Sequence, residues 1–296
     1  MLKIFLPITV LISFLFAFQA AATPLRERVI RTGSHSGQKL IDVVEDYTIP
    51  GLAGGARVHI PSKAIRDAFN FFDRYAGTTR EYKYTGVDPD LNRQGIQFLS
   101  GEKTTTGPTI GNQRYMAIFD LNLKSSLKRL HVINLETGDI SSAEVAHSYT
   151  SDCGTRRPGY ACYFISHVDS KSTPLGFFST GQVYNNAEFG WNVTMNGLEM
   201  VSSGFAGNHI PSTIVIHKAS YVYEGHAGRS HGCPAVSESN ISWVRNNLKD
   251  GALFYFYHTS LDYSDRNPIV SGIQSTESAS EVSDDGGNDA ADDDEN

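Results

Sequence analysis

From Arg114 onward the chain changes its pattern: apolar residues come in short runs of strand length, broken by turn-forming residues, instead of at helical spacing. Tyr115–Leu121 and Leu130–Leu135 are two such runs, and Glu136-Thr137-Gly138-Asp139 ahead of Ile140 is a hairpin turn signal. Gly176–Ser179, Thr213–His217 and Ala252–His258 continue the series. With 14 Tyr, 16 Phe, 27 Gly and 11 Pro among 296 residues, the composition also favours a turn-rich β protein over a helical bundle. These runs predict a mainly β chain, with one curled sheet domain over 101–266.

Only two segments read as helices. Ser62 is expected to cap the first, which runs to about Tyr75 with Ile65, Ala68, Phe69 and Phe72 on one face for core packing. The second runs from about Glu238 to Lys249, carries Ile241, Val244 and Leu248, and stops at Gly251. Residues 23–100 form a lead-in, of which 23–58 lack periodicity and read as extended or loosely packed. Thr104–Gly111 is polar and Gly-containing and reads as a separator. Trp191 and Trp243 are expected in the core.

The ends of the chain differ from its body. Lys3, the apolar run Ile4–Phe18 and the small residues Ala20-Ala21-Ala22 have the order of a secretory signal, with cleavage expected after Ala22. That run is about 15 residues, short of the roughly 20 that span a bilayer, so no integral membrane segment is expected once the signal is removed. Residues 267–296 are rich in Ser, Gly and acids and are expected to be disordered. They hold nine carboxylates and no Lys or Arg, so the overall charge of −7 hides a folded body near +1. A near-neutral body lacks the basic stripe that a nucleic-acid binder needs, which excludes that class of partner.

Three cysteines in an exported chain suggest one bridge and one thiol left over. Cys153 and Cys162 are nine apart with Gly and Pro between them, which suits a local disulfide in an oxidising compartment. Cys233 is then the remaining thiol. It lies in Arg229-Ser230-His231-Gly232-Cys233-Pro234-Ala235-Val236, sixteen residues after the apolar run Ile214-Val215-Ile216 that ends in His217. A strand delivering a His, followed by a Gly-flanked Cys, is what a Cys–His nucleophilic pair requires: the imidazole takes the thiol proton and the thiolate attacks. Gly232 permits a tight turn and close approach of a carbonyl, with nearby backbone N–H groups to meet an oxyanion. Pro234 has no N–H and cannot be among those donors. No H-x-H, H-E-x-x-H or C-x-x-C occurs, so no metal site and no cofactor are expected.

The string Ser230-His231-Gly232-Cys233 with its upstream His resembles the signature of the L,D-transpeptidase (YkuD-type) catalytic domain family. Further blocks follow in the order of a murein L,D-transpeptidase-like subfamily: Ser172–Gly181, Gly197-Leu198-Glu199, Ile214–His217 with Ala219 and Tyr221, and the ending Ser230–Ala235. The resemblance spans roughly 114–257 and implies a curled β-sheet or sandwich domain with an N-terminal and a late helix. It also implies Cys233 as nucleophile, His217 as general base steered by the Lys218 carbonyl, and His231 on the oxyanion side. Ser230 and Gly232 would shape the loop, and Arg229, Lys218 and Tyr221 would bind substrate. The chain departs from the commoner motif at Pro234-Ala235-Val236, and Lys218 stands where Gly usually follows the base.

The reaction so implied is acyl transfer on peptidoglycan tetrapeptide stems: a thioester on Cys233, then a 3–3 crosslink, in the periplasm or at the cell wall. With water as acceptor the same site would make an L,D-carboxypeptidase or endopeptidase. A non-catalytic cell-wall-binding protein of the same fold is the alternative from another class.

Overall fold

A computed structural model describes residues 23–50, 58–84, 103–165, 170–186, 190–198, 209–210, 214–260 and 273–274. The signal segment, the Gly197-Leu198-Glu199 block beyond Leu198 and most of the acidic tail lie outside these residues. In chain order the first elements are α1 (Leu40–Asp46), α2 (Ser62–Tyr75), β1 (Thr79–Tyr84), β2 (Lys103–Pro108), β3 (Tyr115–Asp120), β4 (Lys128–Asn134), β5 (Ile140–Glu144) and β6 (His147–Ser148). Then come β7 (Gly176–Asn186), β8 (Gly190–Gly197), β9 (His209–Ile210), β10 (Val215–Lys218), β11 (Val222–Tyr223) and β12 (His226–Ala227). The last are β13 (Arg229–Ser230), β14 (Ala235–Val236), α3 (Ile241–Leu248), β15 (Leu253–Tyr257) and β16 (Ile273–Gln274).

Eight strands form the main sheet in the order β14-β10-β8-β7-β15-β3-β4-β5. Its two edges meet. Ala146, just past β5, pairs antiparallel with Ala235 in β14, and the Ala146 N–H donates to the Ala235 carbonyl at 2.8 Å. Next to this seam β6 pairs with β13, Arg229 opposite His147 and Ser230 opposite Ser148. The sheet is therefore nearly closed, in the manner of a small barrel, which removes most of its exposed edge.

The centre of the sheet is β15, whose five residues Leu253–Tyr257 are all buried. It runs parallel to β3 and antiparallel to β7, and since residues of both its faces are buried it reads as a continuous apolar run without alternation. On one face, Tyr255 stacks on Phe177 and Phe177 on Phe71 of α2, each at 4.1 Å between centroids. On the other, Phe256 packs against Phe178 at 5.0 Å and Phe119 at 5.6 Å. The expected α2 face is buried as Ile65, Ala68, Phe69 and Phe72, joined by Ala64 and Phe71. Helix α3 buries Ile241, Val244 and Leu248 against β3, β4, β8 and β10. Its end is followed by Asp250 and Gly251 at φ of 66° and 92°, where the chain leaves right-handed geometry.

Five expectations are corrected. Ser62 does not cap α2; it is the first helical residue, after Pro61, with no side-chain cap. The lead-in is not loosely packed: Leu25, Ile30, Leu40, Val43, Val44 and Ile60 are buried in the same core as the sheet, and Leu40–Asp46 is helical. Apolar residues there are too widely spaced to show a period, so tertiary burial decides their conformation. The polar separator contains β2, which pairs antiparallel with β1; its Thr residues are β-branched and suit a strand. Within the segment expected to be disordered, Ile273 and Gln274 pair antiparallel with β1 as β16. Trp191 is half exposed, with the Arg245 guanidinium over its ring at 5.3 Å.

Candidate active site

The residues singled out from sequence converge at the seam. Strand β10 is antiparallel to β8 on one side and parallel to β14 on the other, with His217 opposite Ala235 and Lys218 opposite Val236. The His217 N–H donates to the Pro234 carbonyl at 3.2 Å. Cys233 therefore sits two residues ahead of the strand partner of His217, in the turn that carries the chain from β13 to β14. Its side is half-buried, while Gly232 and Pro234 beside it are buried.

His217 is 3% exposed, and its Nδ1 lies 2.8 Å from the carbonyl oxygen of Lys218. A carbonyl oxygen only accepts, so this bond requires the proton on Nδ1, and in the neutral ring Nε2 is then the basic nitrogen.

Within the turn, the Ser230 hydroxyl donates to the Cys233 carbonyl at 2.7 Å and accepts from the Gly232 N–H at 3.3 Å. Gly232 has φ of 122°, and a Cβ there would lie 3.1 Å from the Ser172 carbonyl oxygen and 3.3 Å from Ile214 Cδ1. Both the angle and the space call for glycine. His231 is exposed and meets the Tyr149 ring edge-on at 5.1 Å. Tyr221 is 37% exposed, and its phenol is raised above the ordinary tyrosine range first by burial and then by electrostatic interaction with Cys233.

The two basic residues have protein partners. Arg229 donates through Nε to Asp152 Oδ2, and through Nη1 to Ser125 Oγ at 3.1 Å and the Ala227 and Gly228 carbonyls at 3.0 and 2.8 Å. Lys218 Nζ is 3.0 Å from Glu238 Oε1, with both side chains largely exposed, a pairing that contributes little in water.

Cys153 and Cys162 form the expected disulfide. It closes a loop whose flanks form one wall of the site through hydroxyls that sequence reasoning missed. Ser148 N–H donates to Thr173 Oγ1 at 2.8 Å and Thr173 N–H to Ser151 Oγ at 2.9 Å. The Ser148 and Thr150 hydroxyls both donate to the Lys171 carbonyl, the latter at 2.8 Å. Thr173 Oγ1 reaches the Gly232 carbonyl at 3.4 Å, which joins this wall to the turn. The available signal was the Ser172–Gly181 block, whose second residue, Thr173, is one of the hydroxyls concerned.

Beneath the wall lies a buried polar cluster. Arg129 is fully buried; it donates to the Val145 and Leu123 carbonyls and, from Nη2, to His147 Nδ1 at 2.7 Å. Burial, and then Arg229, lower its pKa to about 9, against the pull of Asp120 and Asp152. His147, also fully buried, is pushed down to about 2 by burial, then by Arg129 and Arg229, and is neutral. Because arginine only donates, His147 carries its proton on Nε2, 3.4 Å from Asp152 Oδ2.

Among the described residues no group of three or more His, Cys, Asp or Glu is placed to hold a metal ion, and no helix is long and apolar enough to cross a membrane.

No curated protein sequence matches the chain. Solved structures with a likeness include an L,D-transpeptidase from Mycobacterium smegmatis, at 11% identity and TM-score 0.31, covering 55% of this chain and 65% of that one. Another is the helical cell shape determining protein Pgp2 from Campylobacter jejuni, at 15% identity and TM-score 0.31, covering 51% of each chain. The L,D-transpeptidase of Xylanimonas cellulosilytica (residues 123–326) is 14% identical with TM-score 0.28, covering 79% of this chain and 87% of that one. The chain thus spans under two thirds of the first two. The L,D-transpeptidase catalytic domain model YkuD_2 matches residues 86–257, more than half of the sequence, and the chain belongs to that family.

Proposed function

We propose that this chain is an exported cysteine acyltransferase acting on peptidoglycan tetrapeptide stems. Cys233 Sγ attacks the carbonyl of the L-configured third residue of a donor stem while His217 Nε2 takes the thiol proton. A C–S bond forms and the carbonyl oxygen becomes an oxyanion. As the intermediate collapses, the C–N bond to D-alanine breaks, and the imidazolium returns its proton to the departing amine. The side-chain amine of a second stem then attacks the thioester, His217 takes the amine proton, and the sulfur leaves to regenerate Cys233. The product is a 3–3 crosslink; water in place of the amine gives hydrolysis.

The observation that supports this reading most is the 2.8 Å bond from His217 Nδ1 to the Lys218 carbonyl, on the strand that pairs with the Cys233 turn. That bond holds the base in the tautomer it needs before substrate arrives. The exposed His231 ring, next to the turn, is the group this reading places on the oxyanion side. Tyr221 and the exposed Tyr149–His231 pair are the substrate contacts this reading assigns. Export is supported by the leader and by the Cys153–Cys162 bridge, since disulfides persist in oxidising compartments.

Product analysis tests the substrate. The mature protein incubated with disaccharide-tetrapeptide is expected to release D-alanine and yield a 3–3 crosslinked dimer, both lost in Cys233→Ala. Free tripeptide without dimer would make it a carboxypeptidase. Unchanged muropeptide in both samples would overturn the reading in favour of a wall-binding protein.

A further inference from the structure

The nucleophile turn is held at two ends by unrelated means. Downstream, Pro234 and Ala235 are tied to the strand of the base by the His217 N–H bond and the β10–β14 pairing. Upstream, Arg229 and Ser230 rest on β6, a pairing of two residues only. Two-residue pairing is weak, and what reinforces it is the side chain of Asp152.

Asp152 stands immediately before Cys153 and uses both oxygens. Oδ1 accepts from the Gly154 N–H at 2.7 Å, which fixes the carboxylate to the turn of its own disulfide loop. Oδ2 accepts from Arg229 Nε and faces His147 Nε2 at 3.4 Å. His147 in turn accepts from buried Arg129. The carboxylate thus sits between two guanidinium groups that repel each other, one of them without access to water. Neutralising it would leave Arg229 facing Arg129, with Asp120 the other acid acting on Arg129, and would release β13 from β6. Ser230, whose hydroxyl bridges Gly232 and Cys233, would move with β13.

We infer that Asp152 is a positioning residue for the nucleophile: anchored by the disulfide loop and acting through Arg229, it sets the Ser230–Cys233 turn at the distance from His217 that proton transfer needs. This rests on the reading of Cys233 and His217 as a working pair.

Alkylation by iodoacetamide tests it without any stem peptide. Cys153 and Cys162 are bridged, so Cys233 is the thiol that reacts. An imidazole-assisted thiol is reactive at about pH 6.5, whereas any thiol is largely ionised at about pH 9.5, so the ratio of the two rates reports the pair. His217→Ala is expected to lower that ratio about tenfold or more with the Tm little changed, and Asp152→Asn about fivefold together with a lower Tm, because it leaves a buried guanidinium without its carboxylate; the rate at the higher pH should change little in both. Asp152→Glu, which keeps the charge, should recover part of the loss. A purely structural role would lower Tm without moving the ratio. A wild-type ratio in Asp152→Asn, with His217→Ala reduced, overturns the positioning role and leaves the pair intact. A wild-type ratio in His217→Ala overturns the pair and the inference with it. Should Asp152→Asn fail to fold, Asp152→Glu decides: a lowered ratio supports the role, an unchanged one overturns it.

Discussion

His217 hydrogen-bonds through Nδ1 to the backbone carbonyl of Lys218, its own neighbour in the chain, at 2.8 Å. A carbonyl carries no net charge, so it fixes the tautomer without the strong pull on the imidazolium that a carboxylate exerts. The identity of residue 218 is then unimportant to this contact, and a Lys serves where the family commonly has Gly. Replacing His217 removes the proton acceptor while leaving the β10–β14 backbone pairing in place.

His217→Ala is therefore expected to lower the rate of Cys233 acylation by about 10²–10⁴-fold, the usual range for losing a general base. Lys218→Gly should retain acylation within about threefold, because the carbonyl remains and a surface ion pair contributes little. Stopped-time mass spectrometry of carbapenem adducts gives both rates.

Gly232→Ala places a methyl group against the Ser172 carbonyl in a backbone region that disfavours it. Strain there costs about 1–3 kcal/mol and the turn must open to relieve it. The expected outcome is loss of acylation with the circular-dichroism spectrum of the fold retained.

Two fully buried histidines make stability depend on acid. Burial lowers His131 to about 3 and His147, with help from Arg129 and Arg229, to about 2, while both titrate near 6.5 once unfolded. Below 6.5 the unfolded chain binds protons that the folded chain refuses. Their contribution is complete above that pH and is lost as pH falls toward 3, at up to about 1.4 kcal/mol per pH unit for each histidine. Asp120 and Asp73, raised by burial, oppose this at lower pH. Urea unfolding at several pH values between about 7 and 4 should show a slope shallower by roughly that amount in His131→Gln.

Phe177 is sandwiched between Phe71 and Tyr255, and its replacement by Ala should cost about 3–5 kcal/mol. The Cys153→Ser/Cys162→Ser variant should lose about 2–3 kcal/mol on loop-entropy grounds. Denaturant midpoints check both.

The sequence was most informative where one residue type served one need. The apolar runs became β3, β4, β7, β10 and β15, the two helices lie where their spacing put them, and the nine-residue Cys spacing is bridged. Less was visible where burial or distant partners decide. Leu40–Asp46 folds as a helix with Leu40, Val43 and Val44 buried in the common core, and β6 is two residues long with nothing local to mark it. The role of Asp152 depends on Arg229, seventy-seven positions away, and neither residue type signals the other. His147 lacked any motif because its buried partner Arg129 comes from a different strand, eighteen positions earlier.

The most direct test is the intact mass of the mature protein and of Cys233→Ala after exposure to disaccharide-tetrapeptide and, separately, to a carbapenem. The account predicts an adduct in each case on the wild-type chain, mapped to Cys233 and absent from the variant, with D-alanine released from the muropeptide. An accessible Cys233 thiol that forms neither adduct would contradict it.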